Sequence, residues 1–336
     1  MKAIVFHEHG GLEQLQYTDI PKPELLATEC MVRVRAVALN GFDPMILQQI
    51  PGLKTPLPMI PGGDVAGEIV EIGSDVGADK WAVGQSVLID PMMHEKGGVL
   101  GETVTGGACE YISVPEQNLI AIPDGVSFED AAALPIAYGT AHRMMLHRGR
   151  VSAGDKVLVL GASGGVGSCC IQLAKMVGAE VAACTSSKEK AEKLKALGAD
   201  HVIDTSSENY VAFIRDLWGK PRVFAESGGA DVIVNYNGGD SWTECFRALK
   251  REGRLLTCGA TNGYDPKTDI RYIWSFEFEI LGSNGWNRSD LESLLDLVKD
   301  GKIRPALHSV RPLEELPTSL GELIDRKIVG KAILVP

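Results

Sequence analysis

The chain has no CxxC pair and no secreted-type framework of cysteines; its seven, at 30, 109, 169, 170, 184, 245 and 258, are odd in number and scattered. That excludes a disulfide-stapled scaffold, and the thiols read as reduced and mostly buried. Long apolar runs are missing too. The longest mostly apolar stretch, around 131–141, falls well short of the roughly 18 residues that mark a membrane span. No basic, apolar leader follows Met1, so a cytoplasmic protein is expected. Positive charge is in deficit, with 33 Lys and Arg against 44 Asp and Glu and a net charge of -11. Such a surface repels phosphate backbones and anionic lipid, which argues against nucleic acid or membrane as partners. With 336 residues the chain holds roughly two domains and can bury a core without a structural metal.

What is present divides in two. The run MVRVRAVAL at 31–39 alternates apolar and charged residues, the period of a strand with one wet face. Further strands are expected at 65–72, 86–89 and 109–114, separated by turn signals at 61–63, 73–75 and 97–98. This pattern predicts a compact antiparallel β-barrel. After Pro123-Asp124-Gly125 short apolar strands alternate with amphipathic helices, as in βαβ units on a parallel sheet. Strands at 156–160, 180–185, 201–203, 231–235, 254–258 and 278–281 make an α/β, doubly wound sheet of six. A helix over 289–299 capped by Ser289, a second over about 313–326 and a closing strand at 331–335 then return to the first domain. The expected domains are 1–124 with 290–336, and 125–289.

The most informative stretch runs from Lys156 through Gly161-Ala-Ser-Gly-Gly-Val-Gly167 into a helix. Ala162, Gly164 and Gly167 stand at the spacing of a dinucleotide fingerprint, flanked by Gly161, Gly165 and Val166. In this reading residue 162 makes the tight turn, Gly164 lets the backbone approach a pyrophosphate, and Gly167 lets helix and strand pack closely. The helix N-terminus supplies N–H groups to the anion.

The end of the next strand selects the cofactor. An NAD site places a carboxylate there for the ribose hydroxyls, but this chain reads Thr185-Ser186-Ser187-Lys188-Glu189-Lys190. Ser186, Ser187 and Lys190 suit a 2'-phosphate, so NADPH is expected. Ser187 also has the alternative of capping the helix from residue 188, a role compatible with the first. Asn237 and the pair Gly259 and Ala260 follow two further strands, where ligands sit in open α/β sheets, and Ser283 follows the last. Plain turn chemistry is the alternative at each.

Ala38-Leu-Asn-Gly-Phe-Asp43, Pro61-Gly-Gly-Asp-Val-Ala-Gly67, the segment 135–140, Gly161 to Gly167 and Leu197-Gly-Ala-Asp200 come in an order that resembles the medium-chain dehydrogenase/reductase superfamily, in its zinc-free quinone oxidoreductase-like branch. The resemblance covers essentially the whole chain. It implies a GroES-like β-barrel domain, a Rossmann domain and oxidoreductase activity. Zinc enzymes of the superfamily carry metal ligands at the positions of Asn40, Gly63 and Ala137, and a cysteine cluster in the region 90–109, where only Cys109 stands. Neither set is here, so no metal is expected.

Without a Lewis acid to hold an alkoxide, hydride addition to an enone, enal or quinone is the easier chemistry, because the acceptor spreads its own charge. The resemblance assigns Asn40 and Thr140 to the nicotinamide end and Tyr138 as a proton donor or carbonyl partner. Asp43 and Asp64 also match, with backbone capping at a tight turn as the alternative. Phe42, Met45, Met92, His94 and Trp286 lie in segments suited to a small hydrophobic or planar carbonyl or quinone substrate. The competing readings are a zinc-free alcohol or ketone dehydrogenase and a non-catalytic NADPH-binding protein. Alternation over 273–281 ahead of the last strand, together with the resemblance, points to a homodimer.

Overall fold

The alternation from residue 31 onward folds as the strand Glu29–Ala38 in this computed structural model, which describes residues 1–77 and 79–336. That strand pairs antiparallel with Asp64–Ile72, Tyr111–Pro115 and Lys331–Val335. Ser86–Ile89 and Leu119–Ala121 continue the sheet on one side, and Leu307–Pro312 adds a parallel edge on the other. The unit so built comprises Met1–Ala137 and Arg288–Pro336.

A register irregularity between Val34 and Ala36 changes which face of the central strand is apolar. Val32 and Val34 point into the core before it, and Val37 and Leu39 after it, with Val65 and Leu334 beside Val37. Alternation then puts Ala38, Asn40, Asp64 and Lys331 on the opposite face. The helix Phe128–Ala132, capped by Ser127, packs on this part of the sheet. Its packing explains why the first unit reaches Ala137 and does not stop at residue 124.

Several elements carry no clear alternation. The hairpin of Lys2–Val5 and Gln16–Asp19 has one strand that is largely exposed, and Met92–Met93 pairs with Gly98–Val99 over only two residues. The late helix spans Arg288–Lys299, so Ser289 lies inside it and is not its cap.

The second unit is Tyr138–Asn287. Its six parallel strands lie in the order His201–Asp204, Glu180–Thr185, Lys156–Val159, Ala230–Val234, Leu249–Thr257, Glu279–Gly282. Chain order reverses between Lys156–Val159 and Ala230–Val234, which are neighbours. Such a reversal opens a crevice at the carboxyl ends of the two strands, where ligands of this fold class bind. Leu158, Ala182, Ile203, Ile233 and Leu255 form the core under the helices. The alternating stretch 273–281 is not one strand: Ile270–Phe276 is helical, Glu277 turns the chain at φ 56°, and the strand starts at Glu279. All seven cysteines are free, six of them buried. No helix among the described residues is long and apolar enough to cross a membrane.

Candidate active site

Two groups of candidate residues stand out, one in each unit. In the second, the strand Lys156–Val159 leads into Gly161, whose φ of 66° makes the tight turn. The turn therefore falls one residue before Ala162, which is fully buried. Gly164 stands at the N-cap of the helix Gly165–Met176 with no side chain to cap it, and Gly165 and Val166 open the first turn. A Cβ on Gly167 would lie 2.6 Å from Ala162 Cα and from Gly161 O, so only glycine fits. A Cβ on Gly164 would meet nothing nearer than Tyr236 Oη at 3.5 Å, so the space beside the turn is open there. Tyr236 Oη donates to Gly161 O at 2.5 Å, which ties the turn to the strand across the reversal.

Around this turn, Asn237 Oδ1 would stand 3.1 Å from a Cβ on Gly161, and Gly259 lies against the backbone of Tyr236. Ala260 is exposed. Ser283 is buried, and its Oγ has no hydrogen-bond partner. A buried hydroxyl without a partner costs stability unless a ligand satisfies it, and an amide of a nicotinamide cofactor is such a ligand. Together with the open Gly164 turn, this donor fits a dinucleotide.

At the end of Glu180–Thr185, Thr185 is buried and its Oγ1 accepts from Ser187 N at 3.3 Å. Ser186 is exposed, and Ser187 stands at the N-cap of Lys188–Ala196 without making a side-chain cap bond. Lys188 and Lys190 follow in the first turn. The register sets Asp204 opposite Thr185, a carboxylate that sequence reading did not bring to this corner. Its hydrogen bonds from Ser206, at 2.6 and 3.0 Å, and the nearby Lys188 charge hold the Asp204 carboxyl below its ordinary range.

The first unit holds a buried polar cluster. Asn40 Nδ2 donates to Asp64 Oδ2 at 2.9 Å, and Lys331 Nζ donates to Asn40 Oδ1 at 2.5 Å and to Asp64 Oδ2 at 2.9 Å. Asp64 Oδ1 accepts from Ile136 N at 2.9 Å. Asp43 Oδ2 accepts from Asn40 N at 2.6 Å, while its Oδ1 is buried without a partner. All four side chains are at most 5% exposed. Burial pushes the Asp43 carboxyl up to about 7, against the pull of the Asn40 N–H and the Lys331 charge. The capping alternative thus describes Asp43, whereas Asp64 holds a cation and an amide as well. Lys331 was not anticipated at all, since its strand reads as an apolar closing segment.

This cluster does not fit a catalytic zinc. An ammonium occupies the amide of Asn40, and a Cβ on Gly63 would stand 2.6 Å from Leu100 O, leaving no room for a ligand side chain.

The remaining candidates are dispersed. Tyr138 is fully buried, its hydroxyl 3.4 Å from Ser168 Oγ and from Gln172 Nε2. It is a buried group of the second unit. Thr140 is buried in the short helix Thr140–His142. Phe42 packs on the first unit's core, Met45 is 46% exposed, and Met92 and His94 sit at the small hairpin whose carbonyl at Met92 accepts from Asn118. Trp286 lies in the loop after the last parallel strand and is half-buried.

Residues 27–124 match the model described as an alcohol dehydrogenase GroES-like domain, and 165–300 the one described as a zinc-binding dehydrogenase. A 2-methylene-furan-3-one reductase of Solanum lycopersicum is 33% identical over 100% of this chain and 79% of its own length. An NADPH-dependent alkenal/one oxidoreductase of Arabidopsis thaliana, described as chloroplastic, is also 33% identical, over 100% and 80%. Among solved structures, an NAD-dependent alcohol dehydrogenase superposes with a TM-score of 0.90 at 33% identity, covering 100% of both chains. With the sheet order and the glycine turn described above, these matches show that the chain belongs to the medium-chain dehydrogenase/reductase superfamily.

Proposed function

We propose that the protein is an NADPH-dependent reductase of activated double bonds, acting on an enone, enal or quinone without a metal. The observation that carries this reading is the buried contact of Lys331 with Asn40 and Asp64, where zinc members of the superfamily hold their metal. A cation and a committed amide at that place leave no Lewis acid to stabilise an alkoxide. Acceptors that delocalise charge need only hydrogen bonds. The relatives named as enone and alkenal reductases support the same class.

When bound, NADPH supplies the hydride. Gly161 to Gly167 and the helix N-terminus would hold its pyrophosphate, Ser186, Ser187 and Lys190 its 2'-phosphate, and Ser283 its carboxamide. Asn40 Nδ2 would donate to the acceptor's carbonyl oxygen, which gains negative charge as hydride reaches the β-carbon. Thr140 would orient the nicotinamide. The proton that completes the product is assigned to water at the α-carbon, since Tyr138 is enclosed.

NADPH deuterated at C4 and an α,β-unsaturated ketone test this reading. Deuterium at the β-carbon of a saturated ketone product is expected. Label at a carbinol carbon, or turnover with saturated ketones and alcohols alone, would replace it with the alcohol dehydrogenase reading. NADPH binding without turnover of any acceptor would favour a non-catalytic role.

The same reading includes a homodimer. The strand Glu279–Gly282 lies at the end of the parallel sheet, with Ile280 36% and Trp274 71% exposed nearby in sequence. An edge of this kind invites a second copy. Light scattering should give twice the 36.0 kDa chain mass at micromolar protein, and a particle of one chain mass would overturn the dimer.

A further inference from the structure

Lysine is almost never fully buried unless a partner requires it, yet Lys331 is 2% exposed. Neutralising Asp64 would account for one of its contacts. The shorter contact goes to Asn40 Oδ1, at 2.5 Å against 2.9 Å for Asp64 Oδ2. The sheet register explains how it gets there. Ile333 pairs with Ala38 and Leu334 with Val37, so the antiparallel ladder brings Lys331 to the level of Asn40, while Asp64 pairs with Ala38 on the same face.

Donor and acceptor chemistry then fixes the amide. An ammonium only donates, so the atom facing Lys331 must be the amide oxygen. An ionised carboxylate only accepts, so the atom facing Asp64 must be the amide nitrogen. The amide therefore has one orientation, and it uses its oxygen and one hydrogen internally. What Asn40 can offer a ligand is the second N–H, a donor made stronger by the cation on its own oxygen.

We propose that Lys331 is the positioning residue that locks Asn40 as a hydrogen-bond donor, with Asp64 as the other jaw of the clamp. The role of that donor toward an acceptor's developing oxyanion rests on the reading under Proposed function. The clamp narrows the substrate class: the acceptor must present an oxygen that gains charge, as a carbonyl or quinone does, and an acceptor offering a donor to Asn40 finds no partner.

The test uses the full chain with 15N-labelled asparagine, the Asn40 side-chain resonance being assigned by its loss in N40S. The double variant K331M/D64N removes both charges together and leaves no unpaired buried ion, so it keeps the fold that K331M alone endangers. In it the Asn40 amide hydrogens should exchange with solvent at least about tenfold faster than in wild type, as expected once the lysine bond and the charge on the second jaw are lost. Turnover of an enone should fall about tenfold or more while NADPH affinity stays within about threefold, the pattern of a lost transition-state contact. K331R, which keeps the charge and donors, should recover slow exchange and most of the turnover. Unchanged exchange or unchanged turnover in K331M/D64N would overturn the clamp and reduce Lys331 to a counter-charge. A wild type with slow exchange that fails on every enone would leave the clamp standing and remove the reductase reading instead.

Discussion

Gly167 packs so tightly on Ala162 that a Cβ added to it would stand 2.6 Å from the Ala162 Cα, inside any real van der Waals contact. Gly164, three residues earlier in the same turn, has no atom nearer than 3.5 Å to such a Cβ and a φ of -74° that alanine accepts. Substitutions at the two glycines are therefore expected to separate folding from ligand approach. G167A is expected to lose roughly 1 to 3 kcal/mol of stability, since the atoms it meets are backbone and cannot step aside. G164A should melt at or slightly above the wild-type temperature. Its NADPH affinity should nonetheless fall about tenfold or more, because the methyl takes the space of the pyrophosphate. Thermal melts and nicotinamide fluorescence titration on both variants check the pair.

Cofactor choice is expected to reside in Ser187 and Lys190. The double variant S187A/K190A should weaken NADPH by about tenfold or more, the worth of one or two charge-assisted phosphate contacts. NADH affinity should be unchanged, as it lacks the phosphate. Equal affinity of the wild type for the two cofactors would remove the assignment, and titration of each in turn reads it directly.

Asp43 should make stability depend on pH. Its carboxyl ionises near 3.8 in the unfolded chain and near 7 in the fold, where burial opposes the charge. Between those values the native state holds a proton that the unfolded state has released, so stability falls as pH rises through the window. The loss approaches about 4 kcal/mol above pH 7 by the usual conversion. D43N has no such proton and should show a flatter profile. Denaturant unfolding at pH 4.5 and 7.5 on both proteins measures the difference, and parallel profiles would acquit Asp43.

Chelators are expected to leave enone turnover unchanged, and added zinc to bring no gain. Lys331 already holds the amide of Asn40, one of the three positions at which a metal ligand would be needed. Activity lost on chelation and restored by zinc would reverse this expectation.

The glycine turn was legible because its information is local: spacing, a preceding apolar strand and a following helix lie within a dozen residues. Only the position of the turn itself moved, from Ala162 to Gly161, since φ of 66° falls on the residue with no Cβ. The parallel strands were legible for a similar reason, each being a short apolar run between helices. The cluster around Asn40 was legible in part. Asn40, Asp43 and Asp64 lie in recognisable motifs, but Lys331 is 291 residues from Asn40 and heads a strand that reads as apolar. Nothing within its own segment reveals that the lysine turns inward. Asp204 escaped likewise, because strand register and not sequence distance sets it opposite Thr185. Tyr138 shows the converse: its motif is recognisable, while the surroundings of its hydroxyl are set by Ser168 and Gln172 on a later helix.

The chain order of the clamp sets an order of events during synthesis. Asp64 is made 267 residues before the lysine that neutralises it, on the order of tens of seconds at usual elongation rates. In that interval the whole of Tyr138–Asn287 emerges and has every strand of its own sheet. The nascent first segment meanwhile carries a carboxylate without its cation and a central strand, Glu29–Ala38, that lacks Lys331–Val335. The unit with the glycine turn, though second in the sequence, is therefore the first to have all its strands, whereas the other lacks its closing strand until the last residues are made.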